Sequence, residues 1–144
     1  MNRASQHFIE NDGYLLLVDA NERSMTHKYA MYVEPEFPDY DVDCEYNRKG
    51  SLPKKLHIQG AETSKLDDDD ATTVFPDIIV HHRGEPLNLL VIEAKKRDGD
   101  NTRDRDKLHA FLSEGDYRYQ FGVLLRFVTG NDPDIVLERF GSLA

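Results

Sequence analysis

Two apolar runs, residues 74–82 and 87–95, are joined by only Arg83-Gly84-Glu85-Pro86. So short a connection holds the runs side by side and antiparallel, which predicts a β-hairpin. The second run is almost continuously apolar through Leu89, Leu90, Val91 and Ile92. A strand of that kind is buried on both faces, so other elements must cover the sheet from either side. The rest of the chain supplies them. Residues 5–18 predict a helix with Phe8, Ile9, Tyr14, Leu15, Leu16 and Val18 as apolar contacts and a break near Gly13. Residues 21–33 predict a second helix, since Met25, Tyr29, Tyr32 and Val33 recur at helical spacing. Asp19 followed by Glu22 suggests a capping box at its start, and Pro35 and Pro38 close it.

Residues 40–47 alternate, with Tyr40, Val42, Cys44 and Tyr46 on one side and Asp41, Asp43 and Glu45 on the other. That is the pattern of a half-buried strand. Residues 48–73 are polar and read as a long loop, with a short strand at about 55–58. The Asp67-Asp68-Asp69-Asp70 run inside it reads as a solvated segment, with a separate cation site as the alternative. A helix over 102–112 places Leu108, Phe111 and Leu112 on one face. Residues 119–129 form a further strand, and 135–140 a last strand or short helix. The expected architecture is a single α/β domain over 1–144, in the order αβββαβ, with a mixed central sheet flanked by helices.

Composition narrows the function. Eighteen basic against 27 acidic residues leave a net charge of −9. That excludes a general nucleic-acid coat, which works through Lys and Arg, but not an enzyme with local basic clusters. Arg48, Lys49, Lys54 and Lys55 form one such cluster, and Lys95, Lys96 and Arg97 another. A single cysteine, Cys44, excludes a disulfide framework and a multi-cysteine zinc site. There is no apolar run of membrane-spanning length and no signal-peptide pattern, so the expected setting is cytoplasmic.

The chemistry concentrates on the hairpin. Opposed residues in an antiparallel hairpin have a constant sum of numbers, and a midpoint at Glu85 sets Asp77 opposite Glu93. Directly opposed Cβ atoms lie about 4.5–5.5 Å apart. Alternation puts Lys95 on the same face as Glu93 and Ala94 on the other, where a small residue packs against a helix. Two carboxylates this close repel unless something positive lies between them. Mg²⁺, with Mn²⁺ as a substitute, satisfies them, since it binds through one or two carboxylates, waters and phosphate oxygens. A nearby ammonium can then orient a water for attack on a phosphodiester. The alternative is an exposed ion-pair patch at the hairpin ends.

At these residues the chain resembles the PD-(D/E)XK, or restriction-endonuclease-like, nuclease superfamily. The pattern stands here as Pro76-Asp77, fifteen residues, then Glu93-Ala94-Lys95. Longer stretches, Asn21-Glu22-Arg23-Ser24, Val42-Asp43-Cys44-Glu45-Tyr46-Asn47-Arg48 and residues 76–83, resemble a group of small bacterial members. The resemblance covers about residues 19–128. It implies a core of helix, three-stranded meander, helix and strand, and Mg²⁺-dependent cleavage of nucleic acid, DNA ahead of RNA. It implies Asp77 and Glu93 as metal ligands and Lys95 as the residue that positions the water. A third acid often comes from the first core helix, which points to Glu22, with Glu45 as its rival. Glu22 otherwise reads as a first-turn acid favoured by the helix dipole. His27 and His81 are further candidates for the site, with core or surface histidines as the plainer reading. Arg48, Lys49, Lys54, Lys55 and Lys107 are candidates for phosphate contact, with solvated surface as the alternative. Two other functions compete: a non-catalytic nucleic-acid- or protein-binding module on the same fold, and a defence-system component needing a partner chain. A homodimer or a partner subunit also fits a chain of this size.

Overall fold

The computed structural model describes residues 1–46, 75–96, 99–115 and 118–141, and the backbone of four two-residue strands between 48 and 73. Helix α1 (Asn2–Leu17) bends at Asp12, whose φ of −125° is not helical. Tyr32 Oη donates to Asp12 Oδ2 at 2.5 Å, so the bend falls where a side chain from the next helix grips it. Ala4, Phe8 and Leu16 are buried. Ile9, Tyr14 and Val18, expected as core contacts, are exposed, Tyr14 at 71%. They lie off the narrow stripe that the bent helix turns inward.

Helix α2 (Glu22–Val33) is capped by Asn21, whose side chain accepts from the Ser24 N–H at 2.8 Å. The expected Asp19–Glu22 box does not form: Asp19 holds a φ of 55°, and the chain reaches its cap two residues later. Met25, Tyr29 and Val33 are fully buried, as their spacing requires. A 3₁₀ turn (Glu34–Glu36) containing Pro35 ends the helical region.

One five-stranded sheet follows: β1 (Asp41–Cys44), β2 (Ile78–His81), β3 (Asn88–Lys95), β4 (Phe121–Val128) and β5 (Asp134–Gly141). Spatial order equals chain order. Neighbours are antiparallel except β3 and β4, which are parallel and joined through helix α3 (Thr102–Ser113). The sheet is therefore mixed and the fold α/β. Residues 135–140 resolve to strand, because β5 pairs with β4 along its whole length.

Both faces of β3 are covered. On one, Phe8, Leu16, Met25, Tyr29 and Val33 pack on Ile78, Val80, Ile92, Ala94, Leu125 and Phe127. On the other, Leu108, Phe111 and Leu112 of α3 pack on Ile79, Val91 and Leu124. Alternation fails after Cys44. Tyr46, expected beside Val42, packs instead on the α3 side. The cause is Glu45, whose φ of 50° turns the chain over. His82 lies beyond β2 and stacks on Tyr40 with ring centroids 4.6 Å apart.

Among residues 48–73, Arg48–Lys49 pairs with Leu52–Pro53 and Lys55–Leu56 with Thr72–Thr73. The side chains of Arg48, Lys49, Lys54 and Lys55 and the aspartate run at 67–70 lie outside the described residues.

Candidate active site

The hairpin register decides the geometry. Ile78 pairs with Ile92, Ile79 with Val91 and Val80 with Leu90. One step further along the same register sets Asp77 across from Glu93, ahead of the bulge that lies at the opposite end of β2. Asp77 is half-buried and tied at both ends. Its Oδ2 accepts from the Ala94 N–H at 2.7 Å, and its carbonyl accepts from the Glu45 N–H at 3.1 Å. Burial raises its pKa, the Ala94 hydrogen bond and the Lys107 ammonium oppose the rise, and Glu22 adds to it.

Glu93 is 1% exposed. Its Oε2 accepts from Lys107 Nζ at 2.6 Å, while Oε1 has no partner among the described residues. Burial pushes its pKa up, Lys107 pulls against that, and the Asp77 charge reinforces it. A carboxylate at the end of an apolar strand with one oxygen unsatisfied is costly unless it serves something.

Lys107 is therefore not on a solvated helix face. Its side chain is 16% exposed and turned to the sheet. Lys95 shares the face of Glu93 but pairs with Asp104, Nζ to Oδ1 at 3.5 Å. Helix α3 thus meets β3 in two rungs, Lys107 on Glu93 and Asp104 on Lys95. The sequence reading does not single out Asp104. The available signal is that Asp104, Lys107, Leu108 and Phe111 fall at i, i+3, i+4 and i+7, so two charges sit on the stripe that faces the core.

Glu22 stands at the mouth. Its Oε2 accepts from the Lys96 N–H at 2.9 Å, and Lys96 Nζ reaches Asp19 Oδ1 at 3.2 Å, which pins the start of α2 to the end of β3. Glu22 lines two adjoining clefts. One, of about 830 Å³, also holds Asp77, Glu45, Arg23, His27 and Lys28. The other, of about 530 Å³, holds Lys95, Lys96, Arg103 and Asp104. Glu45 lies in the first cleft, paired with Arg23 at 3.2 Å. His81 is drawn away to the far end of β2, where it meets Asp43 at 2.8 Å beside the Arg83 guanidinium.

Among the described residues no group of three or more His, Cys, Asp or Glu side chains has the geometry to hold a metal ion. The pair that remains still fits a hard divalent cation. Asp77 and Glu93 offer oxygen donors only, one of them buried and unpartnered, and Mg²⁺ takes one or two protein carboxylates and completes its shell with water and substrate oxygens. No helix among the described residues is long and apolar enough to cross a membrane. No family model, no curated protein and no solved structure matches the chain.

Proposed function

We propose that this chain is a metal-dependent nuclease on a restriction-endonuclease-like core, hydrolysing phosphodiester bonds in nucleic acid, DNA in preference to RNA. The observation that carries the reading is the buried Glu93, with one oxygen unpartnered, across the register from Asp77. Asp77 and Glu93 would hold the cation; Glu22, held by the Lys96 N–H at the mouth of the cleft, stands outside that pair and would act on the cation's water shell rather than as a third ligand. When bound, Mg²⁺ supplies an activated water and charge stabilisation at the phosphorus. The chain's own contribution is placement. The Ala94 N–H fixes the Asp77 carboxylate, and the Lys96 N–H fixes Glu22. Lys95, held by Asp104 at the cleft that Glu22 also lines, would be the ammonium that orients the water. Arg23, His27 and Lys28 edge the larger cleft, where a backbone phosphate next to the cut would lie.

A second reading, a non-catalytic binding module on the same fold, is favoured by the lack of a three-ligand cluster among the described residues. Incubation with labelled single- and double-stranded DNA and RNA, in Mg²⁺, Mn²⁺ or chelator, separates the two. Cleavage that needs the cation and is lost in Asp77→Asn, Glu93→Gln and Lys95→Ala supports the nuclease. Binding without cleavage on every substrate refutes it.

A further inference from the structure

Lys107 is the cation that touches the buried acid of the site, and it is joined to only one of the four carboxylate oxygens of Asp77 and Glu93. It reaches Glu93 Oε2 at 2.6 Å and leaves Oε1 unpartnered. Its ammonium is also the largest favourable charge acting on each of the two acids, ahead of Lys95 at Asp77. Lys95 is engaged elsewhere, on Asp104, and is more exposed, 38% against 16% for Lys107. With both acids ionised, a single monovalent donor could not neutralise the two carboxylates, whereas a divalent cation held by the pair would.

We propose that the Lys107 ammonium occupies the cation's place at Glu93, as a built-in competitor that the divalent ion displaces. The proposal rests on the metal-site reading given above. Lys107 has a four-carbon stem with rotatable bonds, so its ammonium can leave Glu93 without any movement of α3. Once displaced, it is an unpaired cation at the edge of the site, suited to an anionic substrate oxygen. Cation and phosphate would then favour each other's binding, because each relieves a charge that the other exposes. Lys107 is on this account a positioning residue that couples the two ligands. A purely structural ion pair would behave differently: its loss would loosen the fold and weaken cation binding with it.

Mn²⁺ binding, read by the electron paramagnetic resonance signal of the free ion, tests the proposal without any cleavage assay. Lys107→Gln should bind Mn²⁺ at least about tenfold tighter than the parent, because one like charge no longer competes. Lys107→Arg keeps the charge and should bind no tighter than the parent. Lys95→Gln should change affinity far less than Lys107→Gln. Tighter binding in Lys107→Gln supports the proposal even where the parent binds too weakly to measure. Equal or weaker binding in Lys107→Gln, with Glu93→Gln abolishing binding, overturns the proposal and leaves the metal site standing. No binding by any of them overturns both. Should Lys107→Gln fail to fold, the parent alone decides. Its Lys107 ammonium ¹⁵N signal, sharpened by Glu93, should collapse in excess Mg²⁺, and a signal that persists overturns the proposal.

Discussion

Glu93 should make the metal-free protein less stable as the pH rises, and Glu93→Gln should remove that trend. Burial moves the carboxyl from an ordinary pKa of 4.5 up to about 8, against the pull of Lys107. Below pH 4.5 the folded and unfolded chains both carry the proton, and the group has no influence on the pH dependence. Between 4.5 and about 8 the folded chain keeps a proton that the unfolded chain has released. Each pH unit in that window then favours unfolding by about 1.4 kcal/mol. Above the window both states are ionised and the penalty is constant. Across the whole window the loss is on the order of 5 kcal/mol as an upper limit, since the structure relaxes around a buried charge. Gln has nearly the same shape and does not titrate. Urea unfolding of both proteins in chelator, at about pH 5 and about pH 8, gives the difference between them at each pH. That difference should move by several kcal/mol against the wild type as the pH rises. A constant difference, or one that moves in favour of the wild type, would refute the reasoning: Lys107, and not burial, would then govern Glu93.

Three further outcomes are expected. Asp77→Asn keeps an acceptor for the Ala94 N–H and sheds a charge that burial disfavours, so the metal-free fold should be as stable or gain about 0.5–2 kcal/mol. Mn²⁺ should raise the melting temperature of the parent and do much less for this variant; a clear loss of metal-free stability would mark Asp77 as a structural residue. Tyr29→Phe leaves the buried Ser5 Oγ, now 2.8 Å from the Tyr29 hydroxyl, without that partner, and should cost about 1–3 kcal/mol in urea unfolding. Adding Ser5→Ala should recover most of that loss. Gly84→Ala should cost about 1–2 kcal/mol in the same assay, because its φ of 76° is strained for any residue with a Cβ although nothing crowds the position.

The parts of this fold that were legible in the sequence are those decided by neighbours in the chain. The short turn makes β2 and β3 an antiparallel pair, but it sets His81 against Asn88, and only the bulge at Val80/His81, which no turn residue announces, shifts the pairing by one so that Asp77 stands across from Glu93. The spacing of Met25, Tyr29 and Val33 sets the inner face of α2. What stayed hidden depends on single backbone angles or on distant docking. One residue, Glu45, turns Tyr46 to the other face of the sheet, and nothing in the alternation of residues 40–47 announces it. Asp19 and Glu22 have the spacing of a cap, but Asn21 is better placed to accept from Ser24. The two rungs between β3 and α3 are the largest omission. Lys107 reads as a phosphate contact or a solvated charge, and Asp104 draws no notice, until the crossover to β4 lays the helix against Glu93 and Lys95. Charge that a helix carries on its inner stripe has meaning only once the opposite strand is known.

The agreement between spatial and chain order in the sheet bears on how the protein is made. A chain emerging from the ribosome can add each strand to an open edge, and no strand has to insert between two already paired. The hairpin that sets Asp77 against Glu93 is complete by residue 95, and the Lys107 rung follows within one helix. The closing events come last. β4 gives β3 its parallel partner, and the end of β4 then meets α1, where Phe8 packs on Phe127 at 5.7 Å and the Gly130 N–H donates to the Leu16 carbonyl at 3.0 Å. Both acids of the site and the lysine that meets one of them therefore precede β4 in the chain, and all are present before the strand that closes the sheet against α1.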